Sequence, residues 1–245
     1  MVSKYYQPGA ERAQKVGELF SAIAPRYDLL NDLQSFGLHR VWKRRLVRLA
    51  APKPGERALD LCCGTGDVAL ALANEGAEVV GLDFSEAMLA VARERASKSS
   101  SKFWDSARPP QFVRGDAQQI PFPDNQFDIV TIAYGLRNLA SWETGLAEML
   151  RVAKPGGRLL VLDFGKPEQA IWRAVYFGWL RWAIPVLGKI FCRDREAYAY
   201  IFESLQHFPA QRGVAQRMRD LKCRDVRVVN PLGGAMGINY GVKRG

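Results

Sequence analysis

Between Arg57 and Asp67 the chain reads Arg-Ala-Leu-Asp-Leu-Cys-Cys-Gly-Thr-Gly-Asp, and Val68-Ala-Leu-Ala-Leu-Ala73 follows. A short apolar run that closes in a glycine turn and opens into strong helix formers predicts strand, tight turn, helix. Gly64 and Gly66 let the backbone turn sharply and leave room for a ligand to approach it, and the helix behind them offers unpaired N–H groups. Asp60 lies four residues before Gly64, and Asp83 ends the next apolar run, Glu78-Val-Val-Gly-Leu-Asp83. A carboxylate at the end of a second strand is placed to take ribose hydroxyls. The stretch therefore implies a nucleoside-cofactor site.

Two cofactors fit. Gly64-x-Gly66-x-x-Ala69 with an acid 17 residues after Gly66 is a loose dinucleotide fingerprint, and such a fingerprint alone is weak. Asp60, usable for a cationic amino-acid moiety, favours S-adenosylmethionine. So does Gly115-Asp116-Ala117 after a third apolar run, where a polar side chain could meet an adenine edge.

The rest of the chain supplies the scaffold. Helical apolar spacing from Val16 to Leu49, punctuated by Pro25 and Gly37, predicts two or three short helices. The Arg26-Tyr-Asp28 cluster within them has the character of an active-site lid. Strands are expected at 57–62, 77–83, 111–115, 127–133 and 158–164, with helices at 66–74, 85–96 (Ser85 as its cap) and 141–152. Lys154-Pro-Gly-Gly157 reads as the breaker ending the last of these helices. Ser97 to Pro110 is an exposed loop without a site. Further helices are expected near 195–207 and 211–221, and strands near 225–230 and 236–242. Alternation of this kind predicts a parallel sheet covered on both faces, with ligands at the carboxyl ends of its strands, where Gly64, Asp83, Asp116 and Ala133 fall.

At 245 residues with a net charge of +10, the chain is long enough for a full core and basic enough to imply an anionic partner. The densest basic run, Arg40-Val-Trp-Lys-Arg-Arg45, is either a solvated helix face or a functional patch. Scattered charges without an RNA-binding signature argue against nucleic acid. Four cysteines at 62, 63, 192 and 223 form no C-x-x-C pair, which excludes a disulfide frame and a metal centre and points to a reducing, cytoplasmic setting. The polar N-terminus lacks an apolar signal core. Ala170 to Phe191 mixes Trp, Tyr, Ile and Phe with Arg173, Arg181, Pro185 and Lys189. It is too interrupted for a membrane span and reads either as helices whose aromatics are core or as a surface gripping a prenyl chain or the membrane. His39 and His207, the only histidines, read as packing or surface residues rather than bases.

Over nearly its whole length the sequence resembles the C-methyltransferases of ubiquinone and menaquinone biosynthesis. The likeness rests on Phe20-x-x-Ile-Ala-x-x-Tyr-Asp-x-x-Asn31, Gly37-Leu-His-Arg-x-Trp-Lys43, Leu59-Asp-Leu-Cys-Cys-Gly-Thr-Gly-Asp67, Gly81-Leu-Asp-Phe-Ser-Glu86, Ile120-Pro-Phe-Pro-Asp124, Tyr134-Gly-Leu-Arg-Asn-Leu139 and Lys154-Pro-Gly-Gly-Arg158. The glycine motif is general to such methyltransferases; the Tyr-Gly-Leu-Arg-Asn and Gly-Leu-His-Arg-x-Trp-Lys stretches are specific. The resemblance implies a class I, Rossmann-like α/β fold with a mostly parallel seven-stranded sheet in a single domain. Residues 1–50 would form a helical cap, 51–165 the cofactor-binding core, 166–222 a helical substrate-side insertion and 223–245 a final strand pair. It implies S-adenosylmethionine, released as S-adenosylhomocysteine, with contacts at Thr65, Asp83, Phe84, Asp116, Ala117 and Ala133. Asn239 departs from the histidine that many relatives carry after Gly-Gly.

The implied reaction is methyl transfer to a ring carbon of a prenylated naphthoquinol or benzoquinol, without a metal. The carbon becomes nucleophilic when a neighbouring hydroxyl, of pKa about 10, loses its proton, and a nearby cation lowers the cost of that ionisation. Arg137 is placed for this role and Asn138 for a hydrogen bond to the quinol oxygen, with a salt-bridged loop as the structural alternative for both. Tyr27 and Tyr134 are the expected substrate contacts. Expected partners are the prenylated quinol, the inner face of the cytoplasmic membrane, and a second copy or other quinone-biosynthesis enzymes. Competing readings are a methyltransferase of another phenolic or sterol-like acceptor, an RNA-modifying domain and a non-catalytic cofactor-binding scaffold.

Overall fold

Five parallel strands and an antiparallel pair make one seven-stranded sheet in a computed structural model that describes residues 37–98, 109–183 and 196–245, with Asp32 and Ser35 before them. In chain order come α1 (Leu38–Ala50), β1 (Arg57–Leu61), α2 (Asp67–Asn74), β2 (Glu78–Asp83), α3 (Glu86–Lys98), β3 (Gln111–Arg114) and β4 (Phe127–Ala133). After a single 3-10 turn (Leu136–Asn138) follow α4 (Trp142–Val152), β5 (Ala153–Phe164), α5 (Ala170–Gly178, prolonged by a π-turn, Trp179–Ala183), α6 (Glu196–His207), α7 (Ala210–Asp220), β6 (Arg224–Val229) and β7 (Met236–Val242). The strand order is β3-β2-β1-β4-β5-β7-β6, with β7 antiparallel to both neighbours. The expected Tyr27 and Asp28, residues 99–108 of the Ser-rich stretch and residues 184–195 lie outside the described residues, while Ser97 and Lys98 close α3 rather than open a loop.

The central strands read as unbroken apolar runs because both their faces are covered. One face packs Leu61, Phe127, Val130, Leu146 and Met149 with the α4 side; the other packs Leu46, Val68, Leu72, Ile129 and Leu160 with α1 and α2. Helix starts follow local chemistry: the Ser141 hydroxyl accepts the N–H of Thr144 at 3.1 Å, and the Ser85 hydroxyl accepts that of Met88 at 3.4 Å, each meeting an N–H the helix leaves open.

One expectation needs correction. Lys154-Pro-Gly-Gly157 ends the helix but does not delay the strand, which begins at Ala153 rather than 158. The run stays extended as an irregular edge: Ala153 pairs with Phe127 before a register shift, and Gly156 and Gly157 exchange hydrogen bonds with Lys243 at 3.0 and 2.9 Å. Gly156 takes φ +78, so the glycine supplies a bulge rather than an end.

The basic run of α1 divides. Arg40 pairs with Asp32 and Lys43 turns inward to Asp67 at 2.7 Å, while Arg44 and Arg45 stay exposed. His39 is buried beside Ser35, its Nδ1 2.9 Å from the hydroxyl. Asn239 is also buried, and its amide donates to the Gln211 carbonyl at 2.7 Å. It braces α7 to the sheet.

Candidate active site

The carboxyl ends of β3, β2, β1 and β4 are adjacent, and the chain leaves β1 and β4 toward opposite sides, so a crevice opens there. It encloses about 810 Å³ including its open mouth, within the ~300–1,000 Å³ of small-molecule sites. Of the residues singled out from sequence, Gly64, Asp83, Phe84, Asp116, Ala117, Ala133, Tyr134 and Asn138 line it. Asp60, Thr65, Gly66 and Arg137 do not.

Asp83 organises the floor. One oxygen accepts the Gly64 N–H at 2.8 Å and the other accepts the Ser85 N–H at 2.9 Å. Burial raises its carboxyl above the usual value, opposed by these N–H groups. Each oxygen keeps a further lone pair, so the carboxylate ties the glycine turn to β2 and can still receive a diol.

Gly66 acts behind the cleft. It sits at φ +86, and a Cβ there would stand 3.1 Å from the Phe112 ring and 3.2 Å from the Ala92 methyl. The Thr65 hydroxyl and carbonyl accept from Arg95 at 3.0 and 2.9 Å, and Arg95 continues to Asp67 at 2.6 Å. The expected Thr65 cofactor contact is thus corrected for its side chain, which anchors the turn to α3. Burial pulls the Asp67 carboxyl up, but Lys43 and Arg95 outweigh it and hold it well below the usual range.

Asp60 is buried inside β1, accepting from the Thr131 hydroxyl at 2.7 Å. Burial pushes its pKa up to about 7, against the Thr131 hydrogen bond and the charge of Lys43. A carboxyl raised this way costs the fold nothing below its unfolded pKa of about 4 and most above its folded one. Asp60→Asn is therefore expected to gain stability relative to the parent as pH rises from 4 to 8, on the order of 2–4 kcal/mol. Urea titrations across that range would check it; a difference flat with pH would contradict it.

Arg137 departs most from its expected role. Its guanidinium donates to Asp163 at 2.6 Å and to the Tyr134 carbonyl at 2.7 Å, and lies 4.7 Å from the Phe164 ring centre. Arg137 and Asp163 are 6% and 3% exposed. Asp163 also accepts the backbone N–H groups of Arg137 and Phe164 at 3.2 and 2.8 Å. The salt-bridged alternative is the one found: the cation is compensated inside the protein rather than presented to the cleft. Asn138 donates to the same Tyr134 carbonyl at 3.1 Å. Tyr134 stands at φ +61, a left-handed conformation that costs a non-glycine residue about 1–2 kcal/mol, and the two donors hold it there.

Asp163, Cys62, Met88, Gly135 and Leu139 were not singled out from sequence, and Ser85 only as a helix cap. Asp163 carried a usable signal, since it follows the apolar run Leu159-Leu-Val-Leu162 near the end of its strand, much as Asp83 closes β2. Cys62, at φ +50, lies under Gly135, where a Cβ would stand 2.4 Å from the Cys62 Cβ. Gly135→Ala must therefore part the β1 and β4 ends. It is expected to cost about 1–3 kcal/mol and, because both residues line the cleft, to weaken cofactor binding about tenfold or more by calorimetry.

The profile of the ubiE/COQ5 methyltransferase family matches residues 9–243. The ubiquinone/menaquinone biosynthesis C-methyltransferase UbiE of Ectopseudomonas mendocina is 41% identical over 239 residues, covering 96% of this chain and 91% of its own. That of Francisella tularensis subsp. novicida is 38% identical over 96% and 94%. Among solved structures, a SAM-dependent methyltransferase of Aquifex aeolicus superposes with a TM-score of 0.59 at 20% identity, over 88% of this chain and 97% of that one. A possible histamine N-methyltransferase of Thermotoga maritima reaches 0.65 at 19%, over 93% and 99%. The [4+2]-cyclase SpnF, at 0.59 and 22% identity over 95% and 96%, shows that this fold alone leaves the reaction open. The fold is that of SAM-dependent methyltransferases, and the profile and the relatives near 40% identity decide the family: this chain belongs to the ubiE/COQ5 methyltransferases.

Proposed function

We propose that the chain transfers a methyl group from S-adenosylmethionine to a ring carbon of a prenylated quinol, demethylmenaquinol or a polyprenyl-methoxy-benzoquinol, in respiratory quinone biosynthesis. The observation that carries this reading is the meeting in one cleft of the Asp83–Gly64 floor, Asp116 and Ala117 on one wall, and the Tyr134–Leu139 turn on the other, in a chain of this family. The donor set fits the cofactor. Asp83 would hold the ribose, the Gly64 turn would face the amino-acid portion and Asp116-Ala117 the adenine. The cofactor supplies an electrophilic methyl group.

The protein's own work is alignment and exclusion of water. Ala133, Tyr134, Asn138 and Leu139 would form the acceptor side and hold the quinol ring behind the methyl group, where positioning can supply much of the rate. Arg137 acts as a positioning residue: with Asn138 it fixes the Tyr134 carbonyl, and with Asp163 it clamps the turn to β5. The quinone profile of cells lacking the gene, read by mass, tests the reading. A quinone one methyl lighter is expected to accumulate and would name the ring. An unchanged pool, with no redundant enzyme present, would favour a phenolic or sterol-like acceptor instead.

A further inference from the structure

Eight large apolar side chains stand exposed among the described residues, and five of them gather in one place: Ile171, Val175, Trp179 and Trp182 on α5 and its π-turn, and Leu232 before β7. The first four recur at helical spacing and form one stripe. Ile171 is 84% exposed and Trp182 67%, so for these residues the core reading fails. The opposite face of the same helix is core. Tyr176 and Leu180 are buried, the Tyr176 hydroxyl donates to the Ala235 carbonyl at 3.0 Å, and burial raises its phenol well above the usual range, with Arg137 and Asp163 acting in opposite senses. The Trp172 indole donates to the Leu232 carbonyl at 2.9 Å, which joins the loop to the helix. Leu232 itself sits at φ +48 with its side chain half in solvent.

Charge selects the occupant. From Ala170 to Ala183 the chain carries Arg173 and Arg181 and no acid. Both arginines are exposed, and Arg181 lies 5.2 Å from the Trp182 ring centre. The nearest acid in sequence, Glu168, is paired with Arg212 at 2.7 Å. We propose that this face rests in the headgroup layer of an anionic bilayer, its apolar stripe among the upper acyl chains and its arginines at lipid phosphates. No helix among the described residues is long and apolar enough to cross a membrane, so the contact is one of lying on the surface. A second copy is the poorer occupant, because a self-complementary contact would bring like charges together. The proposal extends the reading of a prenylated acceptor, delivering lipid to the side of the fold where α5 backs the Arg137–Asp163 pair.

The test needs no quinol, so its failure and that of the proposed reaction are distinguishable. The full chain is floated with vesicles of phosphatidylcholine, with and without phosphatidylglycerol. It is expected to float with the anionic vesicles and to be released by salt. Ile171→Glu with Trp182→Glu is expected to cut the bound fraction about tenfold or more without moving Tm or cofactor affinity. Arg173→Gln with Arg181→Gln, which adds no buried charge, is expected to weaken anionic binding roughly fivefold per arginine. Failure of the parent to float, binding indifferent to lipid charge and to both double variants, or a dimer dispersed by the glutamates in place of vesicle binding would each overturn the proposal.

Discussion

Arg137→Ala is expected to lower the stability of this protein by about 3–5 kcal/mol, the cost of leaving one member of a buried ion pair without the other. For a chain of this size that corresponds to a fall in Tm of roughly 10 °C or more. The prediction follows from the geometry around Asp163, whose carboxylate takes the guanidinium and two backbone N–H groups while almost excluded from water. Removing the arginine leaves that charge buried and also removes a donor from the Tyr134 carbonyl. Arg137→Met combined with Asp163→Leu removes both charges and is expected to recover part of the loss, the stranded N–H groups of Arg137 and Phe164 setting the remainder. Thermal and urea unfolding of both variants beside the parent would check this. A stable Arg137→Ala protein with abolished turnover would instead restore the direct electrostatic role that the sequence alone suggested.

The second large effect concerns the cofactor. Asp83→Ala removes the acceptor of two N–H groups and the proposed partner of the ribose hydroxyls, so S-adenosylmethionine affinity is expected to fall about a hundredfold or more, with a stability cost of about 1–3 kcal/mol. Asp83→Asn keeps an acceptor for one N–H but turns an amide donor toward the other, and is expected to lie between. Calorimetric titration with S-adenosylhomocysteine separates binding from turnover. Unchanged affinity in Asp83→Ala would place the nucleoside elsewhere.

Both predictions turn on contacts of different legibility. Asp83, the Gly64 turn and Asp116 were readable because each follows an apolar run within a few residues, and a strand's end is a local property. The β4 strand, Phe127–Ala133, was readable for the same reason. The Arg137–Asp163 pair was not, since the partners lie 26 residues apart and meet only because β4 and β5 are neighbours in the sheet. The anchoring of the Thr65 side chain was hidden for a similar cause: Arg95, which holds it, arrives from the far end of α3. The Lys154-Pro-Gly-Gly157 run was read correctly as a helix breaker and wrongly as a strand breaker, because proline and glycine stop a helix by local geometry yet remain compatible with an irregular extended edge that Lys243 can pair. Of the aromatic stretch after Ala170, the described residues to Ala183 put one helical face in the core and one in solvent, a division that composition alone does not show.

A cleft that joins a sulfonium methyl donor to a quinol ring carbon must carry the donor's methyl group onto that carbon. Purified protein incubated with S-adenosylmethionine labelled in its methyl group and a reduced, prenylated quinol lacking that ring methyl, delivered in vesicles, tests it most directly. Label is expected on a ring carbon of the quinol, lost in Asp83→Ala and absent when the oxidised quinone is supplied. Label on oxygen, or none on any quinol from a protein that binds the cofactor tightly, would contradict it.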